Sequence, residues 1–321
     1  MDRQTADAVR DKRVALLFFG LLNSFDQVYG KDATSPSIAD ILRSLGVQFD
    51  VFVDTSALHF QKVPAGYEIG EDSPTARALI DRVPANAGGD RHYLVLKDTE
   101  ASISRRLEDA FRGTEVSVHF DPPDASTWKG EGHLERMIRT FLMRKKRLVQ
   151  ASLRQAERKN APYDVLIMAR PDSVIRVRGG RSRDMDALSA LLCADILDAS
   201  DSSRAGVDPL GFDRKNSDKG IALFKNDLLM GSPEVMVTAT RLIDVIDRNG
   251  RYYKSYPRPA FRCSACRALF LDSGTDCRAC GGVSTVSKVT LWPEYKLAEH
   301  LRSSGTPCKP LGITGDVLRL A

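Results

Sequence analysis

The chain has 321 residues, of which 42% are hydrophobic and 28% are charged. These proportions are ordinary for a soluble globular protein, and the length suits one large α/β domain or two smaller ones. The formal net charge of +5, from 47 basic and 42 acidic residues, is too small to imply a nucleic-acid partner by itself, although it suits an anionic ligand.

The longest strongly apolar run, Val14 to Leu22, has nine residues and follows a charged segment. It is too short to cross a bilayer, and no small-residue cleavage site of the signal-peptide kind follows it. We therefore expect a soluble, cytoplasmic protein with no transmembrane segment.

The first elements in chain order predict the opening of a parallel sheet. Val14 to Gly20 reads as a strand, residues 35–45 as a helix with one apolar face, and Phe49 to Val53 as a second strand. Residues 57–90 give no clear element. Beyond them a helix at 103–111 lies between strands at 92–96 and 115–120.

Residues 134–159 form the clearest helical pattern, with an apolar face and nine Lys or Arg residues against Glu135 and Glu157. We interpret these charges as a solvated outer face rather than a nucleic-acid surface. The aromatic residue in this stretch, Phe141, lies on the apolar face and not among the charges, where a base could stack on it. Nucleic acid is therefore an unlikely partner.

Val165 to Met168 is a continuous apolar run, typical of a buried parallel strand, and Ala169-Arg170-Pro171-Asp172 follows it. Ligands of open α/β sheets bind beyond the carboxyl ends of the strands. Arg170 and Asp172 are thus candidates for holding a phosphate and a divalent metal, and the alternative is a surface turn. Later elements are helices at 184–197, 233–246 and 293–301 and a strand at 221–224.

Six residues share a position after predicted strands, where the carboxyl ends of a parallel sheet meet at one edge. They are Gly20, Asp54, Arg170, Asp172, Asn226 and Asp227. Together they suit a diphosphate bound to magnesium or manganese, although any one of them alone is more often a turn or cap residue. Glu294, in the first turn of the last helix, either complements the helix dipole or is presented to the site as a base or as a hydrogen-bond acceptor for a sugar hydroxyl.

Four of the six cysteines form two Cys-x2-Cys pairs separated by ten residues: Cys263, Cys266, Cys277 and Cys280. Four thiolates at this spacing predict one tetrahedral zinc ion with a structural role, since no coordination position stays open. Two disulfides or inert thiols are the alternatives. The domains predicted from these patterns are an α/β domain at 1–256, a zinc-ribbon insertion at 257–285, and a helical segment at 286–321 that completes the α/β domain.

The five histidines are scattered, and the chain contains no His-x-x-x-His, Gly-x-Ser-x-Gly or P-loop pattern. These absences argue against a His-ligated metalloprotease, a serine hydrolase of that motif and a P-loop nucleotidase.

Several short segments resemble glycosyltransferases of the nucleotide-diphosphosugar (GT-A-like) type. The segments are residues 14–25, PheAspValPheValAspThr at 49–55, Tyr163 to Asp172, Asn226-Asp227 followed by Gly231-Ser232-Pro233-Glu234-Val235-Met236, and Pro293-Glu294. They are spread over residues 13–305. Arg-Pro-Asp stands where related transferases carry Asp-x-Asp, and Asn23 stands where an Arg is usual.

The resemblance implies a mostly parallel, Rossmann-type sheet flanked by helices, with the loop of Gly20 and Asn23 near the nucleotide. It implies a nucleotide-diphosphate sugar as donor, an acceptor of unknown kind (glycan, protein or lipid), and Mn²⁺ or Mg²⁺ held by Asp172, with or without Asp227. Asp227 or Glu294 would be the general base. The alternative is a non-catalytic binding protein, in which the zinc ribbon and the basic helix bind nucleic acid or another protein.

Overall fold

In a computed structural model of the chain, the described residues fall in several ranges. They are 3–22, 25–30, 33, 35–63, 79–83, 91–96, 99–120, 133–177, 184–201, 205–207, 228–244, 258–262, 269–270, 287–291, 297, 300–301, 304–306, 308–309 and 311–317. The helices are α1 Arg3–Arg10, α2 Phe25–Tyr29, α3 Ile38–Leu45, α4 Glu100–Ala110, α5 His133–Lys159, α6 Met185–Asp201 and α7 Pro233–Thr240. The strands are β1 Arg13–Phe19, β2 Gln48–Thr55, β3 Leu58–Val63, β4 Leu79–Val83, β5 Arg91–Leu96, β6 Val116–Phe120, β7 Val165–Ala169, β8 Ser173–Val177, β9 Ala205–Val207, β10 Leu229–Gly231, β11 Arg258–Arg262, β12 Leu269–Phe270, β13 Ser287–Leu291, β14 Cys308–Lys309 and β15 Ile313–Val317.

The main sheet has the strand order β14-β9-β10-β7-β1-β2-β6. β7, β1, β2 and β6 run parallel to one another, whereas β10 is antiparallel to both of its neighbours, β7 and β9. The sheet is thus mixed but mostly parallel. Together with the helices on its faces it confirms the α/β class predicted from the sequence.

Helices cover both faces of this sheet, which explains why β7 and, after Arg13, β1 are apolar throughout. Alternate residues of β1 enter two separate cores: Val14, Leu16 and Phe18 pack in the first, and Ala15, Leu17 and Phe19 in the second. The first core also contains buried residues of α1, α2, α3, α4 and α6. The second contains buried residues of α5 and α7. A strand buried on both faces has no polar side to alternate with its apolar one.

The helix predicted at 35–45 is confirmed as α3, and its ends show why it forms there. Ser37 is the N-cap, and its side chain accepts a hydrogen bond from the Asp40 N–H while the Asp40 carboxylate bonds back to the Ser37 N–H. Gly46 ends the helix at φ +71°, a left-handed conformation that costs glycine little.

The described strands also form three smaller sheets. β3, β5 and β4 form an antiparallel sheet, β8 pairs with β15, and β11 lies between β12 and β13. The segment after residue 286 contributes the strands β13, β14 and β15, whereas the sequence patterns predicted only a helix there. Of that predicted helix, residues 297, 300 and 301 are described, and they are helical.

No described helix is both long enough and apolar enough to cross a membrane. The longest of them, α5, is the basic helix predicted from the sequence.

Candidate functional site

The carboxyl ends of three adjacent parallel strands bring together four of the predicted site residues. Phe19 of β1 is in register with Asp54 of β2, and Phe18 is in register with Ala169 of β7. Gly20 and Arg170 directly follow β1 and β7. Because β1 lies between the other two strands, the ends of β2 and β7 are about 10 Å apart. We call this edge, with Gly20, Asp54, Arg170 and Asp172, the carboxyl edge.

Asp54 lies at the carboxyl edge with 0% of its surface exposed. Arg147 of α5 donates two hydrogen bonds to its carboxylate, from Nε to Oδ2 at 2.7 Å and from Nη2 to Oδ1 at 3.0 Å. Nε of Arg144 lies 3.5 Å from Oδ1. A buried carboxylate is costly unless it is paired and hydrogen-bonded, and these two arginines supply both.

The interpretation of the α5 charges as a solvated outer face is wrong for Arg144, which is only 4% exposed. The burial of Arg144 could have been predicted from its position in the helical pattern, although not from the number of charges on α5. Arg144 falls three residues after Phe141 and four before Leu148, on the apolar stripe itself. A basic residue inside an apolar stripe indicates a buried acidic partner elsewhere in the chain, which here is Asp54 of β2.

Gly20 turns the chain away from β1 next to this ion-pair cluster. Its φ of +113° is one that residues with a Cβ rarely adopt, and its N–H donates a hydrogen bond to the Asp54 carbonyl at 3.1 Å. The glycine therefore ties the loop after β1 to the end of β2.

Arg170 to Ser173 form a β-turn, in which the Ser173 N–H donates to the Arg170 carbonyl at 3.3 Å. Pro171 occupies the second position, where its fixed φ is favoured. The Arg170 guanidinium donates to both oxygens of Asp172, at 2.9 and 2.8 Å. The sequence analysis gave a surface turn as the alternative to a ligand site here. A turn is present, but it does not lie wholly at the surface, because Asp172 is only 3% exposed.

Four basic side chains of the described residues lie at or near the carboxyl edge. Nζ of Lys145 lies 4.5 Å from the ring centroid of Phe19, the last residue of β1. Arg144 and Arg147 pair with Asp54, and Arg170 pairs with Asp172. Guanidinium and ammonium groups at such an edge suit an anionic ligand.

The remaining predicted site residues lie outside the described part of the chain. They are Asn23, Asn226, Asp227, Cys263, Cys266, Cys277, Cys280 and Glu294. β10 runs antiparallel to β7, so its amino end lies at the same edge of the sheet as the carboxyl end of β7. Within the described ranges, no group of three or more His, Cys, Asp or Glu side chains is placed to hold a metal ion.

Packing and helix capping explain three residues of the transferase-like segment at 231–236. A Cβ built on Gly231 would lie 2.8 Å from Cγ1 of Val235, too close for any other residue without a shift. Ser232 is the N-cap of α7, and Pro233 occupies its first turn. These residues therefore position α7 against β10.

A second charged cluster, not foreseen from the sequence, lies at the opposite, amino-terminal end of the sheet. The Asp50 carboxylate accepts hydrogen bonds from Tyr163, from Arg13 at 3.0 Å and from Lys159 at 3.3 Å, and Lys159 also pairs with Glu115. Burial and the bond to Asp50 raise the pKa of Tyr163 above its usual value. The cluster ties the end of α5 to the starts of β1 and β2, so we assign it to stability.

The chain was compared with models of known protein families and with curated proteins, and no match was found in either case.

Proposed function

We propose that the protein is a glycosyltransferase that binds a nucleotide-diphosphate sugar at the carboxyl edge. The observation that carries the proposal is that four basic side chains lie at the ends of β1, β2 and β7: Arg144 and Arg147 on Asp54, Arg170 on Asp172, and Lys145 on Phe19. An open α/β sheet takes its ligands at this edge, and guanidinium and ammonium groups there suit a diphosphate. The GT-A-like segments of the sequence, among them Arg170-Pro171-Asp172, support the same ligand.

Transfer of the sugar leaves a nucleotide diphosphate, so negative charge grows on the phosphate oxygens as the glycosidic bond breaks. Arg170 is the residue best suited to those oxygens, because a guanidinium binds a phosphate through two parallel hydrogen bonds. Asp227 or Glu294 is proposed as the base that removes the proton of the acceptor hydroxyl. The acceptor is a glycan, a protein or a lipid.

Asp172 is the proposed ligand for Mn²⁺ or Mg²⁺, and its geometry sets a condition on that role. Both of its oxygens are bonded to Arg170. Arg170 would have to turn to the donor's phosphates before Asp172 could accept a cation. A divalent ion held by one carboxylate and the donor phosphates is an ordinary magnesium arrangement, and it would neutralise charge on the leaving diphosphate.

A zinc ribbon at 257–285 remains part of the proposal. The two Cys-x2-Cys pairs fall between strands of one antiparallel sheet: the first pair lies between β11 and β12, and the second between β12 and β13. Short antiparallel strands around paired cysteines suit a zinc ion that is held by four thiolates and stabilises a small unit.

The experiment that tests the function is a thermal-shift panel of nucleoside diphosphates and nucleotide sugars, each with and without manganese. A ligand that binds only the folded state raises the melting temperature. We expect one nucleotide to give a shift, and Asp172→Ala to abolish turnover of the corresponding sugar donor. No shift with any nucleotide on folded, zinc-loaded protein, or unchanged turnover in Asp172→Ala, would refute the assignment.

The alternative of a nucleic-acid-binding protein is less well supported, because much of the charge on α5 is paired within the chain. Arg144 and Arg147 pair with Asp54, Lys146 pairs with Asp244 at 2.6 Å, and Lys159 pairs with Asp50. Tight nucleic-acid binding that weakens steeply with salt would favour this alternative over the transferase.

A further inference from the structure

A groove of about 510 Å³ lies between α5 and the strands β2 and β6, away from the carboxyl edge. Phe52 and Ala151 supply its apolar lining, and Ser117 and Gln155 supply hydrogen-bonding groups. Gln155 follows Arg147 by eight residues on α5, which places Gln155 about 12 Å along the helix axis from the Asp54 cluster. A volume of this size is typical of a small-molecule site.

Gln155 is the polar residue of the groove with an unmet hydrogen bond. It is only 3% exposed. Its Oε1 accepts from the Ser117 hydroxyl at 3.2 Å, while its Nε2 is buried with no hydrogen-bond partner. A buried donor without a partner costs roughly 1–3 kcal/mol. A bound acceptor atom would remove that cost, so the amide favours a ligand with an oxygen at this point.

The rim of the groove carries positive charge that the described structure leaves unpaired. Arg154 and Arg158 are exposed, lie four residues apart on one face of α5, and form no ion pair within the described residues. Glu157 lies on the same rim. These three side chains carry a net charge of +1, which one carboxylate neutralises, whereas a phosphate dianion would leave a negative charge beside Glu157.

We propose that this groove binds a small monocarboxylate with a flat apolar body. The carboxylate pairs with Arg154 and Arg158 at the rim, and the apolar body lies over Ala151. Because Nε2 of Gln155 is buried, the amide turns toward the groove to donate its Nε2–H to a carboxylate oxygen. The site is separate from the carboxyl edge and does not depend on the transferase activity.

The test uses the full chain and 4-fluorophenylacetate, followed by fluorine NMR titration at low salt. We expect saturable binding that an excess of nucleoside diphosphate does not displace. Arg154→Gln and Arg158→Gln should each weaken it by roughly fivefold or more, since each removes a charged hydrogen bond. Arg105→Gln, at an exposed arginine on α4 of the other sheet face, is the matched control and should leave binding unchanged.

Three related probes define the ligand class. 4-Fluorophenylacetamide, which lacks the charge, should bind at least fivefold more weakly, and so should 4-fluorophenyl phosphate, a dianion. Gln155→Leu should weaken the carboxylate while the protein keeps a cooperative thermal transition. Absence of saturable binding, equal binding of the amide, tighter binding of the phosphate, or wild-type affinity in both arginine variants would overturn the proposal.

Discussion

Arg147 and Asp54 are 93 residues apart in sequence, yet the guanidinium of Arg147 donates hydrogen bonds to both carboxylate oxygens of Asp54, at 2.7 and 3.0 Å. The carboxylate is fully buried, whereas the Arg147 side chain is 31% exposed. The pair therefore connects the interior of the sheet to the outer part of α5. It fixes where the basic helix lies on the sheet, and with it the charge of the carboxyl edge.

Replacing Asp54 with Asn should destabilise the fold strongly. The substitution keeps the size of the side chain but removes the fully buried negative charge with which Arg144, only 4% exposed, and Arg147 pair. Removing one partner of a buried pair costs about 3–5 kcal/mol. Urea denaturation of Asp54→Asn should show a loss of this size in the free energy of unfolding. Asp109→Asn is the control, because its pair with Arg112 is largely exposed, and its loss should be under about 0.5 kcal/mol.

Substitutions of Asp172 and Arg170 should affect nucleotide binding differently, because one removes the proposed manganese ligand and the other removes the proposed phosphate ligand. If Asp172 receives the divalent ion, Asp172→Asn should abolish the part of the thermal shift that requires manganese and leave the manganese-independent part. Arg170→Gln removes the cation proposed for the phosphates, so it should reduce both parts. A manganese effect that persists in Asp172→Asn would contradict the metal role, and Arg105→Gln should behave like the wild type in both measurements.

Gly231 should not tolerate a side chain. The new methyl group in Gly231→Ala would approach Cγ1 of Val235 to 2.8 Å, and a β-branched residue in a helix cannot rotate away easily. We expect a destabilisation of about 1–3 kcal/mol, as for other overpacked sites. The double variant Gly231→Ala, Val235→Ala removes the clash, so it should be more stable than the sum of the two single effects. Additive effects would show that the close approach is not the cause.

The sequence predicted the parallel strands because β1 and β7 are buried on both faces and so read as unbroken apolar runs, and β2 is apolar and buried over residues 51–53. Short strands gave no comparable signal. β10 has three residues, and its place beside β7 depends on pairing with a strand about 60 positions earlier. Likewise, β8 is stabilised by β15, more than 130 positions away. The hydrophobic pattern within a short segment does not show which distant strand that segment pairs with.

The sequence predicted only those residues of the candidate site that lie at the ends of strands. Gly20, Arg170 and Asp172 follow strands whose direction could be inferred, and Asp54 lies at the carboxyl end of another, so their convergence could be inferred too. Arg144 and Arg147 come from a helix, and which strand they meet depends on how that helix docks. Their role therefore required the three-dimensional structure.

Stability should fall in alkaline solution, and Tyr163 should account for part of the fall. Burial and the hydrogen bond to Asp50 raise the pKa of Tyr163 in the folded state, so the folded protein keeps this proton at a pH where the unfolded chain releases it. The contribution of Tyr163 is complete below its unfolded pKa of about 10 and is lost as the pH rises toward the folded value. The loss is at most about 1.4 kcal/mol per pH unit for this group.

Denaturation curves between pH 8 and 11 would measure this effect, with Tyr163→Phe as the variant. Tyr163→Phe should be less stable near neutral pH because it lacks the bond to Asp50, and its stability should fall less steeply above pH 10. Lys159 contributes with the same sign. Although burial lowers the pKa of Lys159, its bonds to Glu115 and Asp50 outweigh that effect and raise the pKa. Equal slopes in the wild type and Tyr163→Phe would contradict the assignment to Tyr163.

The cysteine cluster should bind zinc, and the chain supplies its own control. Protein purified under reducing conditions should contain about one zinc ion per chain, since four thiolates fill one tetrahedral site. Cys277→Ser should lose the metal, because its hydroxyl cannot replace the thiolate. Cys193→Ala should retain it, because Cys193 is buried in the first core of the main sheet. Elemental analysis of the three proteins measures this directly. A metal-free wild type, or zinc retained in Cys277→Ser, would contradict the four-thiolate site and leave two disulfides or inert thiols as the alternatives. Mass spectrometry after alkylation, under native and under reducing conditions, distinguishes disulfides from free thiols.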